Sequence, residues 1–225
     1  MKKLKHLNNE VKVLRDPVHE YIHVSDEIIW NLIDAKEFQR LRRIRQLGGT
    51  YQVYHGAEHS RFSHSLGVYE IARRMIEEVE GLKEALTEKE QIAVKCAALL
   101  HDVGHGPFSH AFESVTNVNH EVMSVRIILQ DTEINQILSH YDEEYPQMVA
   151  DIISHQHPRK LLTQIMSAQM DADRMDYLLR DSYFTGVSYG EFDLERILRT
   201  LRIKNNSLVI KESGIHALED YIMAR

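Results

Sequence analysis

The order of apolar and polar positions predicts a helical chain with a little β structure. Val11-Lys12-Val13-Leu14, then Asp16-Pro17, then Tyr21-Ile22-His23-Val24, reads as a short β-hairpin. Ser25-Asp26-Glu27 looks like a helix start, with Ile28, Ile29, Leu32 and Ile33 as its apolar face. A second helix is expected from Glu37 to Leu47, stopped by Gly48-Gly49. Ser63 to Val79 is a strong helix. It sets Leu66, Ile71, Met75 and Val79 near one face and Arg73, Arg74, Glu77 and Glu78 on another.

Thr87-x-x-Glu90 forms a capping box that opens the helix leading into His101-Asp102, and Gly104 suits its end. Further helices are expected at about 120–130, 132–140, 145–155, 160–180 and 191–201. Arg202 to Ile210, with Asn205-Asn206 at its centre, reads as a second hairpin. Gly214 to Arg225 reads as a helix without a stop signal, as in a fragment of something longer. The expected fold is mainly α, one domain over 1–225 with a helical core at 25–201 and two small β-hairpins.

Composition narrows the function classes. Gly and Pro number only 10 and 4, which favours helix. A net charge of −7 argues against broad binding to nucleic acid or anionic membrane. An anionic substrate therefore needs a local basic pocket, and Arg40-Leu41-Arg42-Arg43-Ile44-Arg45 is one candidate. No apolar run approaches the ~18 residues of a membrane span, and Met1-Lys2-Lys3 leads into polar sequence rather than a signal peptide. The single Cys96 has no disulfide partner and sits in an apolar run, as expected of a cytoplasmic protein.

Chemistry concentrates after Ile92–Leu100 (IAVKCAALL). There His101-Asp102-Val103-Gly104-His105-Gly106-Pro107 places ionisable groups against apolar sequence. Such groups are costly to desolvate unless paired, and a metal ion turns both into ligands. His64, His101, Asp102 and Asp173 stand out as a ligand set carried on three stiff elements. Two imidazoles with two carboxylates suit one divalent ion, Mn, Fe, Zn, Ni or, less well, Mg. Positions left for water or phosphate oxygens make metal-assisted hydrolysis the natural chemistry. The bland alternative is hydrogen-bonded histidines and a solvated acidic helix face.

The segments DPVHEYI (16–22), FQRLRRIRQLGG (38–49), HSRFSHSLGV (59–68), HDVGHGPFSHAFE (101–113), NHE (119–121) and DADRMDYLLRDSYFTG (171–186) carry a wider resemblance. Together they make the chain similar to the HD-domain phosphohydrolases. Within these it resembles the deoxynucleoside triphosphate triphosphohydrolase branch, with bacterial dGTPase-like and SAMHD1-like enzymes. The resemblance implies an HD helical bundle whose metal ligands are His64, His101, Asp102 and Asp173. It implies that Arg61 and His110 bind phosphate, and that Gln46 and Leu47 face deoxyribose and base. His105 and His120 with Glu121 match the catalytic histidine–acid group. Arg174, Tyr177 and Asp181, one helix face at i, i+3 and i+7, match contacts to triphosphate and sugar.

The resemblance also implies a homo-oligomer, dimer or tetramer, activated by a (deoxy)guanosine nucleotide, with an additional Mg accompanying nucleotide. Lys12, Val13, Asp34, Gln39 and Arg42 match that activator site, although Arg15 departs from some relatives there. The competing reading of 40–45 is a solvated basic face or salt-bridge network. The resemblance also implies a C-terminal lobe, which the sequence to Arg225 is not expected to include. Rival expectations are another HD-domain nucleotide phosphohydrolase or a non-catalytic nucleotide sensor. No Gly-Tyr-Pro motif and no Lys after His-Asp-x-Gly support a cyclic-dinucleotide phosphodiesterase. The region after His-Asp reads GHGPFSH rather than the acidic pair of alarmone hydrolases. An intact ligand set argues against a sensor.

Overall fold

The computed structural model describes residues 11–224. Strands β1 (Lys12–Asp16) and β2 (Glu20–Val24) pair antiparallel, with Lys12 opposite Val24 and Asp16 opposite Glu20. Thirteen helices follow among the described residues. They are α1 (Glu27–Asp34), α2 (Lys36–Gln39), α3 (Arg61–Glu78), α4 (Leu82–Ala85), α5 (Glu88–Leu100), α6 (His110–Thr116) and α7 (His120–Leu129). Then come α8 (Glu133–Tyr141), α9 (Tyr145–Ile153), α10 (Lys160–Met166), α11 (Ala172–Thr185), α12 (Leu194–Thr200) and α13 (Ile215–Met223). Strands β3 (Leu201–Lys204) and β4 (Ser207–Ile210) form the second hairpin. Asn205 and Asn206 both have positive φ at its turn, which asparagine tolerates and a right-twisted hairpin favours.

The centre is α3 packed against α5 and α11, with α9 also packed against α5. Helix α5 explains this position. Ile92 to Leu100 is buried along its whole length, so the helix needs cover all round. Its one charge in that run, Lys95, pairs with Asp26 at 2.8 Å. The Thr87–Glu90 capping box is formed in both directions, as its sequence predicts. Cys96 is buried in the same core. No helix among the described residues is long and apolar enough to cross a membrane. The reading of Met1–Lys3 lies outside those residues.

Several local expectations need correction. The helix expected at 37–47 ends at Gln39. Arg40–Arg43 tightens to a 3₁₀ turn, and Ile44 turns extended so that Arg45 bridges Ser60. The tertiary pairing overrides a good local helix propensity. Helix α3 begins at Arg61, two residues before Ser63, because Ser60 caps it. The span 160–180 is two helices. Asp171 breaks it by accepting from the backbone N–H of Arg174 as the N-cap of α11. Gly104 does not cap α5. A Cβ there would lie 2.2 Å from the His120 carbonyl, so Gly104 permits close approach of α7. Helix α6 was not expected, and α13 ends at Met223.

Candidate active site

The ends of α3, α5 and α11 meet at one point. His64 lies one turn into α3, His101 and Asp102 follow α5, and Asp173 lies in the first turn of α11. His64 Nε2 is 3.0 Å from Asp173 Oδ1 and 3.7 Å from Asp102 Oδ2. His101 Nε2 is 3.5 Å from Asp173 Oδ1 and 3.4 Å from Asp102 Oδ1. Each imidazole is turned by its other nitrogen. His64 Nδ1 bonds Asp176 Oδ2 at 2.8 Å, and His101 Nδ1 donates to the Ala98 carbonyl at 2.9 Å. That leaves both Nε2 atoms aimed at the carboxylates, the orientation metal-binding histidines take from their outer partners. His101 Nε2 is buried without a hydrogen-bond partner, as a ligand atom would be.

The electrostatics ask for a cation. Burial opposes charge on His64, yet its hydrogen bonds to Asp173 and Asp176 outweigh burial and hold its pKa up at about 10. Asp102 is held well below the usual carboxylate range. Burial opposes that shift, but the charges of His101 and Arg61 overcome it. A divalent ion meets the same demand as a proton on His64, so the residues fit a metal centre.

Beneath these ligands lies a buried charge network. Arg180 bonds Asp176 at 2.8 and 2.9 Å and Asp16 at 2.9 and 3.2 Å. His19 Nε2 bonds Asp176 Oδ1 at 2.6 Å. Gly67 makes room: a Cβ there would fall 1.8 Å from Asp176 Oδ1. The first hairpin is thereby tied to the candidate ligand His64. Asp16 itself accepts from the backbone N–H groups of Val18 and His19, which folds the hairpin turn around it.

Most of the other candidates line one cleft of about 340 Å³ above the ligands. Gln46, Leu47, Arg61, His105, His110, His120, Glu121, Tyr177 and Asp181 share it with His64, Asp102 and Asp173. That volume is in the range of small-molecule sites. A smaller hollow of about 80 Å³ reaches His101, Asp102 and Asp173 from beside Glu121 and His155. Arg61 is buried, bonds Asp102 through its guanidinium, and donates from Nε to Ser109 Oγ at 3.0 Å. Asp181 accepts from buried His59 at 2.7 Å, and His59 stacks on Phe184. Arg174 is paired with Asp171 at 3.3 Å instead of lining the cleft.

The acid bonded to His120 is Glu113, at 2.8 Å, rather than Glu121. Consecutive helix residues point in different directions, so His120 and Glu121 do not face each other. Glu113 also lies 3.2 Å from His110 and 3.5 Å from His105. Burial pushes His105 down to about 4, so its ring is neutral near pH 7. Glu113, Asp176, Arg180, His19 and Ser109 were missed as site residues. Glu113 and Ser109 lie inside HDVGHGPFSHAFE, which is their only local signal.

The five activator-site candidates have these surroundings. Lys12 lies over the Trp30 ring at 3.9 Å, and Val13 and Asp34 are exposed. Gln39 donates to the Ile33 carbonyl, and Arg42 bonds Gln39 at 2.8 Å while stacking on Phe62. The basic run is thus partly a packed polar network.

The HD domain family model matches residues 61–181, a span containing all four candidate ligands. The chain is 57% identical over 217 residues to YwfO of Bacillus subtilis, named an uncharacterized protein; the match covers 96% of this chain and 50% of that one. It is 33% identical over 232 residues to a Dictyostelium discoideum protein named deoxynucleoside triphosphate triphosphohydrolase SAMHD1 homolog, covering 95% and 44%. The crystal structure of a phosphohydrolase from Bacteroides thetaiotaomicron is similar at a TM-score of 0.86 and 35% identity, covering 96% of this chain and 52% of that one. The chain spans about half the length of these relatives.

Proposed function

This chain belongs to the HD domain family, and from that premise we propose that it is a metal-dependent hydrolase that splits deoxynucleoside triphosphates into deoxynucleoside and triphosphate. One observation carries the reading. A single cleft gathers His64, Asp102 and Asp173 of the candidate donor set, the Arg61 guanidinium, Tyr177 and His120, whose Nδ1 is bonded to Glu113. A bound divalent ion supplies a Lewis acid and a water that ionises near neutral pH.

The chain's own groups do the rest. Arg61 trades Asp102 for phosphate oxygens and offsets charge that builds on the triphosphate. His110 assists from the phosphate side. Arg174 joins by leaving Asp171. The oxygen of water bonds the α-phosphorus as the bond from that phosphorus to the 5′ oxygen breaks. His120, oriented through Nδ1 by Glu113, gives the 5′ oxygen its proton. His105 is neutral near pH 7 and so is a poor donor there. Glu121 lines the same cleft beside the pair.

Tyr177 packs under the deoxyribose and excludes a 2′ hydroxyl, while Gln46, Leu47 and Asp181 face sugar and base. Assembly as a homo-oligomer belongs to the same reading, as do activation by a guanosine nucleotide at Lys12, Val13, Asp34, Gln39 and Arg42, and a second Mg carried with nucleotide.

Phosphorus NMR of the protein with the four deoxynucleoside triphosphates, with Mn and with Mg, tests the chemistry. Free tripolyphosphate is the expected product. Orthophosphate or pyrophosphate would assign a different phosphohydrolase. GTP turned over as fast as dGTP would remove the role given to Tyr177.

A further inference from the structure

Three imidazoles and one carboxylate converge beside the metal-ligand set. Helix α6 contributes His110 and Glu113, three residues apart, His120 opens α7, and His105 comes from the loop between α5 and α6. Glu113 Oε1 has the Nδ1 atoms of all three histidines around it, at 2.8, 3.2 and 3.5 Å. One donor atom from each of the four residues lies within 4.8 Å of the others. His105 is 1% exposed, and neither of its ring nitrogens has a hydrogen-bond partner. Proton transfer through His120 needs only Glu113 beside it. It does not account for two more imidazole nitrogens turned to the same oxygen, nor for a buried ring left unsatisfied.

We propose that His105, His110, Glu113 and His120 form a second cation site, suited to a borderline transition-metal ion such as Zn or Ni, whose filling stops the hydrolysis. The site itself stands on this geometry; the inhibition rests on the proton role given above to His120. Imidazole-rich sets favour Zn, Ni, Cu and Co over Mg, which prefers oxygen. Three nitrogens and one oxygen are a complete tetrahedral set. Ligands about 2.1 Å from a tetrahedral ion stand roughly 3.4 Å apart, which the spacing of the four donor atoms suits; the rings of His105 and His120, stacked 3.8 Å apart at 15°, splay to aim both nitrogens at the ion. The His110 side chain is 71% exposed, which gives an ion a way in. Once Glu113 and His120 Nδ1 bind a cation, the carboxylate no longer tunes the imidazole, and the triphosphate loses access to His110. His105 Nε2 is 3.3 Å from Asp102 Oδ1, so the two sites are neighbours that share no ligand among these eight residues.

The test is a Zn titration by dye competition on the wild type, Asp173→Ala and His110→Ala, each first freed of resident metal by chelator, with Co(II) as a spectroscopic probe. His110 is exposed on a helix with no buried residue, so its replacement leaves the core intact. The wild type is expected to bind two equivalents and each variant one. Asp173→Ala with Co(II) is expected to show the intense visible bands of a tetrahedral ion. One equivalent in the wild type, none in Asp173→Ala, or two in His110→Ala would overturn the site. The second equivalent of Zn should slow turnover by on the order of 10²-fold, the share a general acid supplies, and His110→Ala should lose that sensitivity relative to its own rate. A second equivalent that binds without slowing turnover would keep the site and overturn the proton role of His120.

Discussion

His64 lines the cleft and Glu113 stands behind it, bonded to His120, and the two have very different surroundings. His64 is 1% exposed and its Nδ1 partner, Asp176, is locked by Arg180 of α11 and by His19 from the turn of the first hairpin. Glu113 sits on α6, a helix with no buried residue, where Phe112 and Val115 are open to solvent. The ligand half of the cleft is therefore an extension of the core. The histidine–carboxylate half is laid on its surface. A metal centre needs ligand positions fixed to within a fraction of an ångström, which only stiff packed elements supply. Proton transfer tolerates a looser frame, and groups that adapt to substrate come from the less stable parts of a fold. Damage to the first half should cost stability and metal together. Damage to the second should cost rate alone.

Arg180→Met tests the first half most severely. It strands Asp16 and Asp176 as buried carboxylates without their cation. The expected loss is about 3–5 kcal/mol in urea unfolding, the range for breaking a buried ion pair, with weaker metal binding. A loss under ~1 kcal/mol would mean the network is not what holds His64. Glu113→Gln tests the second half. The expected fall in kcat is about 10-fold to 10²-fold, no more than the share of the general acid that Glu113 orients. Unfolding free energy should move by no more than ~0.5 kcal/mol, as for a surface change. A large stability loss there would erase the contrast.

A pH series sharpens it further. His64 has a folded pKa of about 10, raised from 6.5 by Asp173 and Asp176 against the opposing effect of burial. Its contribution is therefore complete below pH 6.5 and disappears as pH rises through 10. Protein kept in chelator should melt at a lower temperature at pH 9 than at pH 6. Saturating Mn should flatten that slope, because the ion replaces the proton. Equal slopes with and without metal would place the ion elsewhere. The smallest effect is expected from Val115→Ser on α6, within ~0.5 kcal/mol in stability and without change in turnover, since Val115 is 80% exposed.

What could be read in the sequence follows the same divide. Periodicity located α3 because its apolar face is buried, and a capping box with an unbroken apolar run located α5; the candidate ligands His64, His101 and Asp102 lie on α3 or directly after α5. Asn205-Asn206 and Thr87-x-x-Glu90 announced a turn and a cap through purely local bonds. Helix α6 gave no such signal: with nothing buried, HAFESVT has no apolar period to find. Arg180 with Asp16 is a contact across 164 positions, which spacing cannot show. The run 37–47 failed for a third reason. Its helix potential is real, but the bridge from Arg45 to Ser60 pulls it straight. Asp171 did carry a cap signal within 160–180, and apolar periodicity on either side masked it.

The most direct test of the account is the metal content of the purified wild type beside Asp173→Ala and Asp102→Ala, with deoxynucleoside triphosphate turnover measured on the same samples. With no Zn added, the account predicts one tightly held divalent ion per chain in the wild type. In both variants it predicts loss of that ion and a rate lower by at least about 10²-fold, with folding retained. Full turnover by a variant that holds no metal would contradict it.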